Sequence, residues 1–199
     1  MCNSFGFGGN DSSLILSKNK PELKDKPSSE GARIRIAAQR VVKTKDELLE
    51  LKEYLSPMDT RRMGTIMKAS LLSAFAVLKE AGLQRPDAII AATSKGMLEL
   101  STMFLEDIAD NHEEHLKPTL FMQSTHNTIA SAIAIRTGCH GYNITYSQGD
   151  DSYSWALRDA ELLLKKGLAT NVLICAFDEE LLDGRTDVFM ADSKLFTID

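Results

Sequence analysis

Asn143-Ile144-Thr145-Tyr146-Ser147-Gln148-Gly149-Asp150-Asp151-Ser152 decides the fold: strand-forming residues stop at Gly149, and helical spacing takes over at Ser152. The helix runs to Lys166, with Gly167 as its stop. Beyond it Asn171 to Phe177 reads as another strand. Upstream, Ala88-Ile89-Ile90-Ala91-Ala92 lies between Pro86-Asp87 and Ser94-Lys95-Gly96, the pattern of a strand buried on both faces. Strands separated by helices of this length predict an α/β fold: a mainly parallel or mixed sheet covered by helices.

The remaining segments extend this layered domain. Ile34 and Ile36 alternate with Arg33 and Arg35, as on a half-buried strand that Val41-Val42 continues. Asp46 to Tyr54 has leucines at helical spacing, and Pro57 ends that helix. A longer helix from Met63 to Leu78 stops at Gly82, and its many small residues predict close packing. Leu98 to Ala109 and Ser124 to Ile135 read as two more helices. Three parts follow: a glycine-rich segment with a short strand at Leu14-Ile15-Leu16 (1–16), a Pro, Ser and Lys linker (17–31), and the main domain (32–199).

Composition narrows the function. A formal charge of -5 with interspersed signs offers no basic stripe to follow a phosphate backbone, so no nucleic acid is expected. No run approaches the roughly 20 apolar residues that cross a bilayer, so no membrane partner is expected. Cys2, Cys139 and Cys175 form no CxxC pair, which points to reduced thiols and a cytoplasmic location. No cofactor is implied.

In α/β sheets, ligand sites lie beyond the carboxyl ends of strands. The turn Tyr146 to Ser152 is such a place, where amide groups and a helix dipole would support an oxyanion or thiolate. Here it carries Gln148, Asp150, Asp151 and Ser152 and no cysteine. The plain reading of Asp150, Asp151 or Ser152 is a helix cap.

With those residues in view, the sequence resembles the ketosynthase branch of the thiolase-like superfamily. Asn143 to Glu179 is similar to the stretch that bears the active-site cysteine and runs on to the Ala-Gly-Gly strand, and Thr125-His126-Asn127 to Arg136-Thr137-Gly138 is similar to the helix before it. Together with Arg61-Arg62-Met63 and the helix after it, the resemblance covers about residues 32–182, and is nearest to ketosynthase N-terminal-half proteins of aryl-polyene-type clusters. It places Asp150 at the cysteine position, or Gln148 after a two-residue shift. Neither is a thiol, so covalent acyl loading should fail. With Gln148 there, the chain resembles chain-length factors, the cysteine-free partners of ketosynthases in fatty-acid and polyketide synthesis.

The resemblance implies that the family's two decarboxylating histidines belong to a C-terminal half outside these 199 residues. His126, beside Asn127 at a helix start, would line an acyl tunnel, accept a proton, or be a hydrogen-bonded structural histidine. His112 and His115, spaced i, i+3 at a helix end, read as a solvated face, and no metal site is expected. Asn3 to Asn10 resembles a glycine-rich motif from the C-terminal end of ketosynthases, with Phe7 at the acyl-gating position. It is read as a product of gene rearrangement or as a tail adding a strand to the sheet.

Three functions are therefore expected to compete. The first is a non-condensing subunit that pairs with an active ketosynthase, helps shape its acyl site through Phe7, Gln148 and Asn127, and contacts acyl carrier protein. The second is an acyltransferase, decarboxylase or hydrolase using Asp150 or Asp151 with His126 on a carrier-bound substrate. The third is a homodimer or scaffold joined through an edge strand, Val172-Leu173-Ile174 or Leu14-Ile15-Leu16.

Overall fold

The computed structural model describes residues 33–112 and 114–198, together with the backbone of two short strands, β1 (Cys2–Ser4) and β2 (Ser12–Leu14). These two pair with each other in a separate antiparallel sheet, and neither of them joins the main one. Phe7, Ile15, Leu16 and the 17–31 linker lie outside the described residues.

The main sheet has five strands: β3 (Ile34–Val42), β4 (Ala88–Ala92), β5 (Tyr142–Tyr146), β6 (Asn171–Leu182) and β7 (Arg185–Ile198), in the order β3-β7-β6-β4-β5. β4 runs parallel to β5 and β6, whereas β7 is antiparallel to β6 and β3. The sheet is therefore mixed. Every residue of β4 is buried, which explains its unbroken apolar run.

One face packs against α2 (Thr65–Glu80) and α5 (Thr128–Thr137), around Ile66, Leu71, Leu72, Ile89, Ile133, Leu173 and Phe177. Small residues let α2 approach closely, and Ser73 Oγ lies 2.7 Å from Ser193 Oγ of β7. α2 ends as its glycine predicts: Gly82 has φ +68°, and Leu83 N–H closes on Leu78 C=O at 2.9 Å. The other face carries α6 (Ser152–Lys165), whose Ala156, Ala160, Leu163 and Leu164 cover Ile90, Val172 and Ile174.

Several local readings are corrected. Glu47–Glu53 forms a 3-10 helix, because the Glu47 carboxylate accepts from the backbone N–H of Lys43 and Thr44 and from the Thr44 hydroxyl and tightens that turn. The short helix α1 (Pro57–Thr60) starts at Pro57, the residue expected to end a helix, because Pro fits a first helical position. The helix expected from Ser124 to Ile135 starts later, as α5 at Thr128, and is preceded by an unexpected short helix, α4 (Pro118–Ser124), with Thr128 Oγ1 turned back to Met122 C=O at the break. α3 (Leu98–Asn111) ends before His112, and His112 and His115 have φ 49° and 52°, so they sit in a loop and share no helical face. Asp107 holds that loop through Lys117 Nζ at 2.8 Å and Lys117 N–H at 2.9 Å. The Lys117 bonds keep the Asp107 carboxyl below its ordinary range.

β6 runs past Phe177 to Leu182 and returns as β7 through Asp183-Gly184, both at positive φ. Val172-Leu173-Ile174 is consequently interior, between β7 and β4, and the edges are β3 and β5.

Candidate functional site

β4 ends at Ala92, paired with Ala176 of β6, and Thr93 N–H continues the β4 ladder to Tyr146 C=O at 3.0 Å. Two turns leave this end of the sheet, one into α3 and one into α6. Between the α6 turn and the ends of β6 and β7 lies a pocket of about 280 Å³. Asp150, Ser152 and Tyr153 line it from α6, and Asp178, Met190, Asp192 and Lys194 from the hairpin. A site was expected at this end of the sheet.

The α6 turn is fastened by Ser152, which is 2% exposed. Its hydroxyl accepts the Gln148 N–H at 2.7 Å and faces Thr93 C=O at 2.8 Å and Gly149 C=O at 2.7 Å. The N-cap of α6 is Asp151 in helical geometry, with no side-chain cap bond. The capping expectation is corrected: Ser152 ties the turn to itself and to β4. The tie also occupies the Gln148 amide, one donor that an oxyanion would need there.

Asp178 of β6 fastens the other turn. Its carboxylate accepts from Thr93 Oγ1 at 2.8 Å, Ser94 N at 3.0 Å and Lys95 N at 2.9 Å. Glu179 beside it is buried, accepting from Thr186 Oγ1 at 2.6 Å and Glu99 N at 3.0 Å. Burial pushes its carboxyl above the ordinary range.

Of the turn residues singled out in the sequence, Asp150 and Ser152 line the pocket. Gln148 and Asp151 are exposed beside it. His126 sits against Gly96, where an added Cβ would lie 2.6 Å from Nε2, and it does not line the pocket. Asn127 precedes α5, its Oδ1 buried without a hydrogen-bond partner. No hydrogen bond or ion pair joins His126 to Asp150 or Asp151 among the described residues.

Lys194 and Tyr153 were missed. Lys194 Nζ donates to Tyr153 Oη at 2.9 Å and pairs with Asp192 Oδ2 at 3.1 Å. Burial pulls the Lys194 pKa down, but the bonds to Tyr153 and Asp192 outweigh it, leaving the ammonium above its ordinary value. The alternation of Phe189, Ala191 and Leu195 with Met190, Asp192 and Lys194 was the available signal.

Sulfur lies elsewhere. Cys175 is fully buried in β6, its thiol pushed up to about 11 by burial, and Cys139 is 8% exposed. Neither has the electropositive, accessible setting of a reactive thiolate.

Residues 36–187 match the family model for the N-terminal domain of beta-ketoacyl synthases. The chain belongs to this family. Comparison with curated proteins by sequence returns no match. A similar solved structure is a ketosynthase, ApeO, in complex with its chain length factor, ApeC, from Xenorhabdus doucetiae: TM-score 0.65 and 20% identity, over 82% of this chain and 78% of that one. The ishigamide ketosynthase/chain length factor gives 0.63 and 22%, over 74% and 47%. The 3-oxoacyl-[acyl-carrier-protein] synthase III of Aquifex aeolicus VF5 gives 0.51 and 17%, over 83% and 54%. The likeness is one of fold, and this beta-ketoacyl-synthase domain spans about half the length of the latter two. The turn before α6 presents Gln148, Gly149, Asp150 and Asp151. No helix among the described residues is long and apolar enough to cross a membrane, and no group of three metal-ligating side chains occurs among them.

Proposed function

We propose that this domain is a non-condensing subunit of polyketide- or fatty-acid-type chain synthesis, paired with a cysteine-bearing ketosynthase and working on chains carried by acyl carrier protein. The observation behind it is that the α6 turn presents carboxylate and amide groups and no thiol, in a stretch whose sequence resembles the one that bears the family's nucleophile, while Cys139 and Cys175 are shut in the core. A carboxylate is a far poorer acyl acceptor than a thiolate, so the chain must act through what it binds.

The two free sheet edges support a partner on one side. β3 is guarded by a bulge between Ile36 and Ala38 and by Arg35 and Arg40. β5, Tyr-Asn-Ile-Thr-Tyr, has no charge, proline or bulge, and it lies next to Trp155 and Leu162 of α6, which are 44% and 53% exposed. Such an edge accepts a strand from another chain. Two solved relatives are described as ketosynthase and chain length factor together, which agrees with a heterodimer.

The test is co-elution. Mixed at micromolar concentration with the ketosynthase encoded beside it, the protein should elute as a stoichiometric complex, and Ile144→Pro in β5 should abolish that complex while a separately measured melting curve stays cooperative. Independent elution of the two wild-type proteins would contradict the proposal. The acid–base alternative with His126 gains no contact in this geometry among the described residues.

A further inference from the structure

The outer part of the β6–β7 hairpin leaves the sheet. β6 pairs with β4 only as far as Ala176, and β7 pairs with β3 only as far as Ala191, so beyond these residues the hairpin is a two-stranded ribbon. Such a ribbon is marginal in water and takes its position from what it lies against. Phe177 and Phe189 root it in the core. Further out, a register shift between Glu180 and Leu181 interrupts the ladder and gives the ribbon a place to bend.

Thr186 fastens the outer end. It is 3% exposed and bridges two carboxyls: its hydroxyl donates to Glu179 Oε2 at 2.6 Å, and its N–H donates to Glu99 Oε1 of α3 at 3.4 Å. Glu179, 1% exposed, also accepts the Glu99 N–H at 3.0 Å. Elsewhere the end touches α3 lightly, with Arg185 Nη1 3.4 Å from Met103 Sδ and Gly184 near the side chains of Thr102 and Glu106.

No cation balances the two carboxyls among the described residues. Lys95 pairs with Glu180, Arg185 lies against Met103, Asp107 is paired with Lys117, and Asp178 takes the donors of the β4 turn. Glu106 and Asp187 bring only further negative charge. Burial, and after it the Glu99 charge, hold the Glu179 carboxyl above its ordinary range against the bonds from Thr186 and the first-turn amides of α3. A neutral Glu179 fits this place, whereas an ionised one sets a second charge beside Glu99 away from water.

We propose that Glu179, Glu99 and Thr186 form a proton-controlled latch: the hairpin end is docked on α3 while Glu179 is neutral, and it lifts from the bend at Glu180-Leu181 when Glu179 ionises and draws in water. Leu182 and Val188, exposed on that end, move with it. The latch belongs to the isolated domain, so its failure would leave the partner reading untouched.

Hydrogen exchange of the full chain, followed by mass spectrometry from pH 4.5 to about pH 7 and corrected for intrinsic rates, tests it. Protection of residues 181–188 should fall by up to about tenfold per pH unit above 4.5 and level off once the docked carboxyl has ionised. The fall should be insensitive to low denaturant and should leave β4 protected, the marks of a local opening. Glu179→Gln stays neutral and should hold protection flat. Glu99→Gln removes the neighbouring charge and should make the fall smaller, and it carries the test if Glu179→Gln does not fold. Flat protection in the wild type, an undiminished fall in either folded variant, or hairpin amides that open only together with those of β4 would each overturn the latch.

Discussion

The two turns at the carboxyl end of the parallel strands are built differently. The turn after β4 is held by a carboxyl side chain from a neighbouring strand, with Asp178 taking three donors at once. The turn after β5 is held by one neutral hydroxyl of its own helix, Ser152, while Gln148, Gly149, Asp150 and Asp151 stay exposed. The first turn is part of the scaffold. The second is fastened from beneath, so its exposed positions can change without unfolding the domain.

Substitutions can break or sharpen this contrast. Asp178→Ala strands three donors and should lower the unfolding free energy by about 2–4 kcal/mol in a denaturant titration. Ser152→Ala leaves the Gln148 N–H and Thr93 C=O without their partner and should cost about 1–2 kcal/mol in the same titration. If Ser152→Ala cost as much as Asp178→Ala, the two turns would be equivalent and the contrast would vanish. Asp150→Asn, on the exposed rim, should change stability by no more than about 0.5 kcal/mol.

A smaller effect concerns pH. Burial raises the folded-state pKa of Glu179 above 4.5, so its protonated form favours the folded state. That contribution is fully present below the unfolded value and is lost as pH rises through the higher folded value. Relative to the wild type, Glu179→Gln should therefore gain stability as pH rises above 4.5. A constant difference over that rise would show that burial does not set this carboxyl.

Much of the architecture was legible because local signals agreed with the fold. The apolar run of β4, the glycine stops at Gly82 and Gly167, and the small residues of α2 each have one physical meaning, and the structure uses it. β7 was not read, because Asp187, Asp192, Ser193 and Lys194 dilute its apolar residues, although Asp183-Gly184 marks a hairpin turn. The same gap hid part of the pocket. Asp192 and Lys194 come from that unread strand, about forty residues beyond Asp150, and only the antiparallel return of β7 brings them to the end of α6. The 3-10 geometry at Glu47–Glu53 depends on one carboxylate reaching back to two amides, which leucine spacing does not encode.

Intact and peptide mass spectrometry after incubation with a hexanoyl thioester tests the central claim most directly. The account predicts no acyl adduct on residues 147–152 and none on Cys139 or Cys175, under conditions that fully acylate a cysteine-bearing ketosynthase. A stable adduct at any of these residues would contradict it.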